Sequence, residues 1–140
     1  MDRRTEAREL AMQALYQLDV QGAELLSSID EFFKLNSNDD LVRQLARQWM
    51  KGAWENLAAC DELILDSSQK WQVARMSQVD RAILRLSVYH LKFCADIPPK
   101  VTINEAIELA KKYSTESAPS FVNGVLDAVL KKLEVKIQNQ

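Results

Sequence analysis

At residues 103–113 the chain reads INEAIELAKKY, and at residues 121–127 it reads FVNGVLD. Apolar residues recur in both stretches at the three- and four-residue spacing of an amphipathic α-helix. Between them, residues 114–117 predict a turn. Pro119 suits the first turn of a following helix, because no intrahelical backbone donor is needed there. The two stretches therefore predict a pair of helices joined by a short turn.

The rest of the chain has the same helical period, and glycine and proline number only three each. Further helices are predicted at residues 3–21, 24–35, 40–66 and 77 to about 97, with a single turn around Trp71 to Arg75. Ser77 with Asp80, and Thr102 with Glu105, predict capping boxes at helix starts. The helix after Pro98 is predicted to start between residues 99 and 103. No strand pattern competes with these elements. The sequence thus predicts an all-α fold of about seven helices.

A chain of 140 residues is long enough to bury a core without a metal or a disulfide. We expect a single domain over residues 1–140, with helical halves at about 1–67 and 68–140. Each half would form a small bundle, and the two bundles would pack into one body. Gly52 is expected to allow close helix approach. Gly124 is expected to lie at a packed interface, with Asn123 bonded to a neighbouring backbone group.

The net charge is −2, but the charges are unevenly distributed. Residues 23–66 carry nine acids and four bases, whereas residues 67–95 carry five bases and one acid. This pattern fits ordinary solvated helix faces as well as a polarised binding surface. No signal peptide and no long apolar run is visible, so we expect a soluble cytoplasmic protein that does not enter a membrane.

Catalytic and metal sites are not indicated. His90 is the only histidine, and its apolar neighbours favour a structural histidine with its hydrogen bonds satisfied. Cys60 and Cys94 fit no metal spacing and are interpreted as buried, reduced thiols. No glycine-rich loop is present to hold a phosphate. We therefore predict a non-enzymatic protein without catalytic residues, metal or cofactor.

The first helix carries a candidate nucleic-acid surface. Four side chains follow one another at four-residue intervals along the border of its apolar face: Arg4, Arg8, Met12 and Tyr16. Solvated arginines at this spacing suit successive phosphates of a single strand, and a tyrosine ring offers a stacking surface for a base. The alternative is that Glu6 and Glu9 pair the arginines into an ordinary solvated face.

A second basic stripe lies on the helix that follows Ser77. It contains Arg81, Arg85 and Lys92, and Lys70 and Arg75 precede it. For Arg85 we favour a structural role, in which the guanidinium clamps Glu105 or Glu108 across two helices.

Several blocks together resemble the NusB family. They are RELAMQALY at residues 8–16, ILRL at 83–86, IPPKV at 97–101, and the two stretches at 103–113 and 121–127. These blocks run from residue 3 to about 130, and residues 23–70 match weakly. The resemblance implies an all-helical fold of two bundles and a role in transcription antitermination and ribosomal RNA synthesis.

The resemblance also implies partners and sites. The partners are boxA-type single-stranded RNA, the small-subunit ribosomal protein NusE and the transcription elongation complex. The protein itself would be a monomer or a weak homodimer. The family's RNA-binding element maps onto Arg3, Arg4, Arg8 and Tyr16, with a further contact at Phe121. The acidic position that contacts the ribosomal protein maps onto Asp80.

The chain departs from the family pattern at three places. Thr5 and Glu6 interrupt the N-terminal arginine run, Ser120 replaces a lysine beside Phe121, and His90 replaces a glutamate. Two alternative functions stay open, and the interrupted arginine run favours the first of them. One is a protein-binding helical scaffold with weak or lost RNA recognition, and the other is the RNA-binding module of a ribosomal RNA cytosine methyltransferase.

Overall fold

The structure is a computed structural model that describes residues 2–69 and 73–138, without the side chains of the last two of these. Its helices are α1 (Arg3–Gln21), α2 (Ile29–Asn36), α3 (Asp40–Glu55), α4 (Leu57–Ser67), α5 (Gln78–Phe93), α6 (Pro99–Tyr113) and α7 (Ala118–Gln138). Short 3-10 segments cover Ala23–Ser28 and Val73–Arg75. No strand occurs within the described ranges, which confirms the all-α prediction. None of the described helices combines the length and apolar character that a membrane crossing requires.

Polar side chains cap the starts of α1, α3 and α5, and of these the Ser77 cap of α5 was predicted. The Asp2 carboxylate accepts the backbone N–H of Thr5 at 2.8 Å and begins α1. Gly22 ends that helix with a φ of 99°, which only glycine adopts readily. Ser77 Oγ accepts the backbone N–H of Asp80 at 3.1 Å and begins α5.

Three element predictions need correction. The long helix at 40–66 is two helices, because Asn56 leaves helical geometry with φ −115° and ψ 24°. The helix predicted at 24–35 begins as a 3-10 segment and becomes α-helical only at Ile29. The Thr102–Glu105 capping box is wrong, because α6 begins three residues earlier at Pro99 and Thr102 is wholly buried inside it. Of the turn around Trp71 to Arg75, the first two residues lie outside the described ranges.

Helix α5 is the centre of the packing, with contacts to α1, α3, α4, α6 and α7. Helix α1 packs on both α3 and α5, so one continuous apolar core joins all the helices. The division into halves near residue 67 stays a prediction. Helices α1 and α5 and the end of α6 lie side by side, and the candidate site lies on this surface.

The two helical glycines differ in their surroundings. A Cβ on Gly52 would come within 2.1 Å of the Tyr89 hydroxyl, so this glycine leaves room for the Tyr89 ring of α5, whereas a close approach of the two helices was expected. Gly124 is exposed, and a Cβ there would meet nothing within 4 Å. The expected packing role of Gly124 is therefore wrong, and Asn123 is exposed as well.

Candidate RNA and partner interface

An open groove of about 390 Å³ lies between α1, α2, α5 and the end of α6. Its lining is mainly aromatic and aliphatic, with three amide side chains among the apolar groups. The lining residues are Met12, Gln13, Tyr16, Gln17, Phe32, Asn36, Val79 and Tyr113. A groove with apolar walls and a few amides can hold a flat ring and hydrogen-bond its edge.

Two half-buried tyrosines, Tyr16 and Tyr113, face this groove. The Tyr113 hydroxyl accepts the Gln13 amide at 2.9 Å and donates to the Glu9 carboxylate. Burial, together with that bond to Glu9, raises the pKa of Tyr113. These bonds fix one ring of the groove in place, whereas Tyr16 is held mainly by packing against the core.

Asp80 lies at the α5 end of the groove. It directly follows Val79, and its Oδ1 accepts the hydroxyl of Ser114 at 2.6 Å, directly after Tyr113. The bond ties the start of α5 to the turn after α6. The carboxylate is half-buried and stands beside a groove lined by two tyrosines.

The exposed arginines lie at the other end of α1. Arg3 is 65% exposed in its side chain, and its Nε donates to Asp39 at 2.8 Å. That bond lowers the pKa of Asp39 and raises that of Arg3. Arg4 is exposed and forms no ion pair with any described residue. Because it precedes Tyr16 by twelve residues, about 18 Å of helix separates the two.

Arg8 differs from the expectation. Its side chain is only 2% exposed, so the prediction of a solvated guanidinium is wrong. Nη1 faces Glu105 Oε1 of α6 at 3.5 Å, and the guanidinium carbon lies 5.2 Å from the centre of the Trp49 ring. Met12, the next member of the ladder, is also buried. A wheel drawn for α1 alone could not show that α3 and α6 cover this border.

The basic stripe of α5 is largely structural. Arg85 donates to both oxygens of Asp61 on α4, at 2.9 and 2.8 Å, and lies 3.6 Å from Asp19 on α1. Its structural role was predicted, but its partners are not Glu105 or Glu108. Arg81 binds Asp19 at 2.6 Å. Two of the three cations in the stripe are thus used to join α1, α4 and α5.

Residues 5–131 match the model of the NusB family. The chain belongs to the NusB family. A relative from Syntrophus aciditrophicus named Transcription antitermination protein NusB is 43% identical over 140 residues, which cover 100% of this chain and 87% of the relative.

Solved NusB structures share the fold. One is T. maritima NusB, with a TM-score of 0.81 and 37% identity, covering 94% of this chain and 92% of that one. Another is a chain from the crystal structure of antitermination factors NusB and NusE in complex with dsRNA. It has a TM-score of 0.81 and 30% identity, and the match covers 94% of this chain and 98% of that chain.

Membership in the NusB family supports the prediction that this chain is not an enzyme. Within the described ranges no group of three or more His, Cys, Asp or Glu residues is placed to hold a metal. Cys60 is buried and Cys94 partly buried, both as free thiols, and burial raises the pKa of Cys60 to about 12. That thiol is a poor nucleophile at neutral pH.

Sequence reasoning missed Tyr113 as a member of the groove. The signal was present, because a tyrosine ends the amphipathic helical stretch at 103–113, but only the fold places it in one groove with Tyr16. Phe121, the remaining predicted RNA contact, is half-buried on α7 and packs against the core. Its contact with RNA stays a prediction.

Proposed function

We propose that this chain is an RNA-binding transcription antitermination factor that binds boxA-type single-stranded RNA together with NusE. It would act within the transcription elongation complex, in the cytoplasm, and support ribosomal RNA transcription. As to oligomeric state, we propose a monomer or weak homodimer. The family match and the relatives named above support this assignment, and the surface of α1, α5 and α6 supplies its chemistry.

The observation that carries the proposal is the groove that joins the two tyrosines to the Asp80 end of α5. Tyr16 and Tyr113 line one groove together with amide groups, and Asp80 follows a groove residue. Aromatic rings accept unstacked bases of single-stranded RNA, and amides hydrogen-bond base edges. One continuous surface can therefore contact an RNA strand and a protein that docks beside it.

Arg3 and Arg4 supply positive charge at the start of α1. Arg4 is the freer of the two, because Arg3 shares its charge with Asp39. A phosphate that replaces Asp39 on Arg3 must compete with a charge-assisted bond of 2.8 Å. We therefore assign Arg4 the larger share of the electrostatic term, and Arg8 a positioning role that holds the first turns of α1 against α3 and α6.

A second candidate function is a protein-binding scaffold with weak RNA recognition. It is favoured by the burial of Arg8 and the pairing of Arg3, which leave few free cations on α1. Such a scaffold would bind its protein partner through Asp80, and the two groove tyrosines would not contribute to binding. The two functions differ in whether the groove contributes to RNA affinity.

Fluorescence anisotropy with a short labelled boxA-type RNA, measured with and without NusE, tests the proposal. Tyr16→Leu should weaken RNA binding by about 1–3 kcal/mol, because one stacked base is lost. Phe93→Leu is the matched control, since Phe93 is an exposed aromatic residue on α5 outside the groove lining. Equal affinities for the two variants, with both proteins folded, would favour the scaffold.

A further inference from the structure

A chain of hydrogen bonds connects α1 with the end of α6 at the edge of the groove. Lys112 Nζ donates to Glu9 Oε1 at 2.7 Å, and the Tyr113 hydroxyl donates to the same oxygen. Gln13 Nε2 in turn donates to the Tyr113 hydroxyl at 2.9 Å. Gln13 and Tyr113 both line the groove, whereas Glu9 lies outside its lining. The bonds therefore connect a carboxylate outside the groove to an amide inside it.

The direction of each bond follows from counting donors and acceptors. Glu9 pairs with the Lys112 ammonium, and an ionised carboxylate only accepts hydrogen bonds, so the one hydroxyl proton of Tyr113 points to Glu9. Burial, followed by the bond to Glu9, raises the pKa of Tyr113, so the hydroxyl keeps this proton at neutral pH. Towards Gln13 the hydroxyl oxygen can then only accept. The NH₂ group of Gln13 must face Tyr113, which fixes the position of its carbonyl oxygen as well.

The orientation of a glutamine amide decides which base edge it can bind. One end of the amide donates a hydrogen bond and the other accepts one. Cytosine places an amino donor beside an acceptor nitrogen, whereas uracil places a carbonyl acceptor beside a donor nitrogen. Adenine and hypoxanthine, the base of inosine, are opposite in the same way. An amide that can turn over binds either edge, but a fixed amide binds only one of each opposite pair.

Gln13 is placed to contact the edge of a base that stacks in the groove. It lies one helical turn before Tyr16 on α1, and both side chains are half-buried and line the groove. Asn36, another amide of the lining, donates to the backbone carbonyl of Phe32 within its own helix at 2.7 Å. The orientation of Asn36 is therefore independent of Glu9, and any effect of Glu9 on the groove acts through Gln13.

We propose that Glu9 is a positioning residue for base recognition, which acts through Tyr113 to fix the amide of Gln13, so that the groove distinguishes bases with opposite donor and acceptor edges. The inference rests on the proposed RNA-binding function of the groove. Glu9 itself would not touch the RNA. Its contribution would be to selectivity between bases, and Lys112 would hold its carboxylate in place.

Anisotropy titrations with a series of boxA-type RNAs test this role. In each RNA one cytosine is replaced by uracil, one uracil by cytosine, or one adenine by inosine, and the ratio of the two affinities measures selectivity at that position. Gln13→Leu identifies the position that Gln13 contacts, because the ratio falls to about one there. In the wild type we expect a ratio of at least about fivefold at this position.

Two variants release the amide without removing it. Glu9→Met removes the acceptor for the Tyr113 hydroxyl, and Tyr113→Phe removes the hydroxyl but keeps the ring for stacking. Both should bring the ratio at the Gln13 position to within about twofold of unity, because the amide can then turn over. Glu108→Met is the matched control, since this carboxylate of α6 bonds Lys111 at 3.3 Å, and its ratio should equal that of the wild type.

An unchanged ratio in folded Glu9→Met and Tyr113→Phe would overturn the proposal, even if overall affinity fell, because Glu9 would then be only structural. The proposal also fails if Gln13→Leu alters selectivity at no position of the RNA. Absence of RNA binding by the wild type, with and without NusE, would instead overturn the proposed function, and this inference with it.

Discussion

Mild acid should destabilise this protein through His90. The ring is wholly buried, and burial and the charge of Arg8 lower its pKa to about 3. An unfolded histidine has a pKa of about 6.5. Between these two values the unfolded state binds more protons than the folded state. The folded state therefore has its full stability above pH 6.5, and its free energy of unfolding decreases as the pH falls from there towards 3.

The magnitude follows from the two pKa values. Below pH 6.5 the free energy of unfolding should fall by about 1.4 kcal/mol per pH unit. Between pH 7 and pH 5 this integrates to about 2 kcal/mol, and the result is nearly the same for any folded pKa below about 4. Carboxyl groups contribute little in this interval, because their ordinary pKa values lie near 4.

Urea denaturation at pH 7, 6 and 5, followed by circular dichroism, measures this loss. His90 is the only histidine of the chain, so His90→Gln removes histidine titration altogether and is the matched control. We expect the wild type to lose about 2 kcal/mol more than the variant between pH 7 and pH 5. Equal losses in the two proteins would refute the reasoning, since the folded histidine would then titrate as it does in the unfolded chain.

Three further predictions concern stability and binding. Gly124→Ala should stabilise the protein by up to about 1 kcal/mol through helix propensity. Gly52→Ala should destabilise it by about 1–3 kcal/mol, because Tyr89 occupies the space that the new methyl group needs. Thermal melts should therefore show a raised melting temperature for the first variant and a lowered one for the second. Asp80→Lys should weaken NusE binding more than tenfold in calorimetric titrations, with a small change in melting temperature; equal loss of stability and binding would indicate a purely structural carboxylate. Arg8→Met should lower the free energy of unfolding yet leave the salt dependence of RNA binding unchanged, because the guanidinium is buried.

Most helix positions could be predicted from the sequence because their signals are local. Ser77 and Pro119 act within one turn of the helix start that they define. The break at Asn56 was missed because a hydrophobic stripe continues through it. Only the structure shows that Asn56 leaves helical geometry and that α4 packs against α5 and α7.

The candidate site was harder to predict because exposure is a tertiary property. Arg4 and Arg8 are equivalent by spacing, but Glu105 and Trp49, distant in sequence, bury the second and not the first. In the same way, Gly124 was expected to pack closely, and only the fold shows that open space surrounds it. Local pattern identifies which residue types are available, and tertiary contacts decide which of them reach solvent.

We propose that α1 binds RNA with Tyr16 in the groove for a base and Arg4 as the main cation. The most direct test is the slope of log affinity against log salt for a boxA-type RNA in three proteins. These are the wild type, Arg4→Ala, and Arg47→Ala as a control whose arginine is paired with Asp30 on the α2–α3 side at 2.7 Å.

We expect Arg4→Ala to reduce the slope by about one ion, with Arg47→Ala matching the wild type. An unchanged slope in Arg4→Ala, or an equal reduction in Arg47→Ala, would contradict the account.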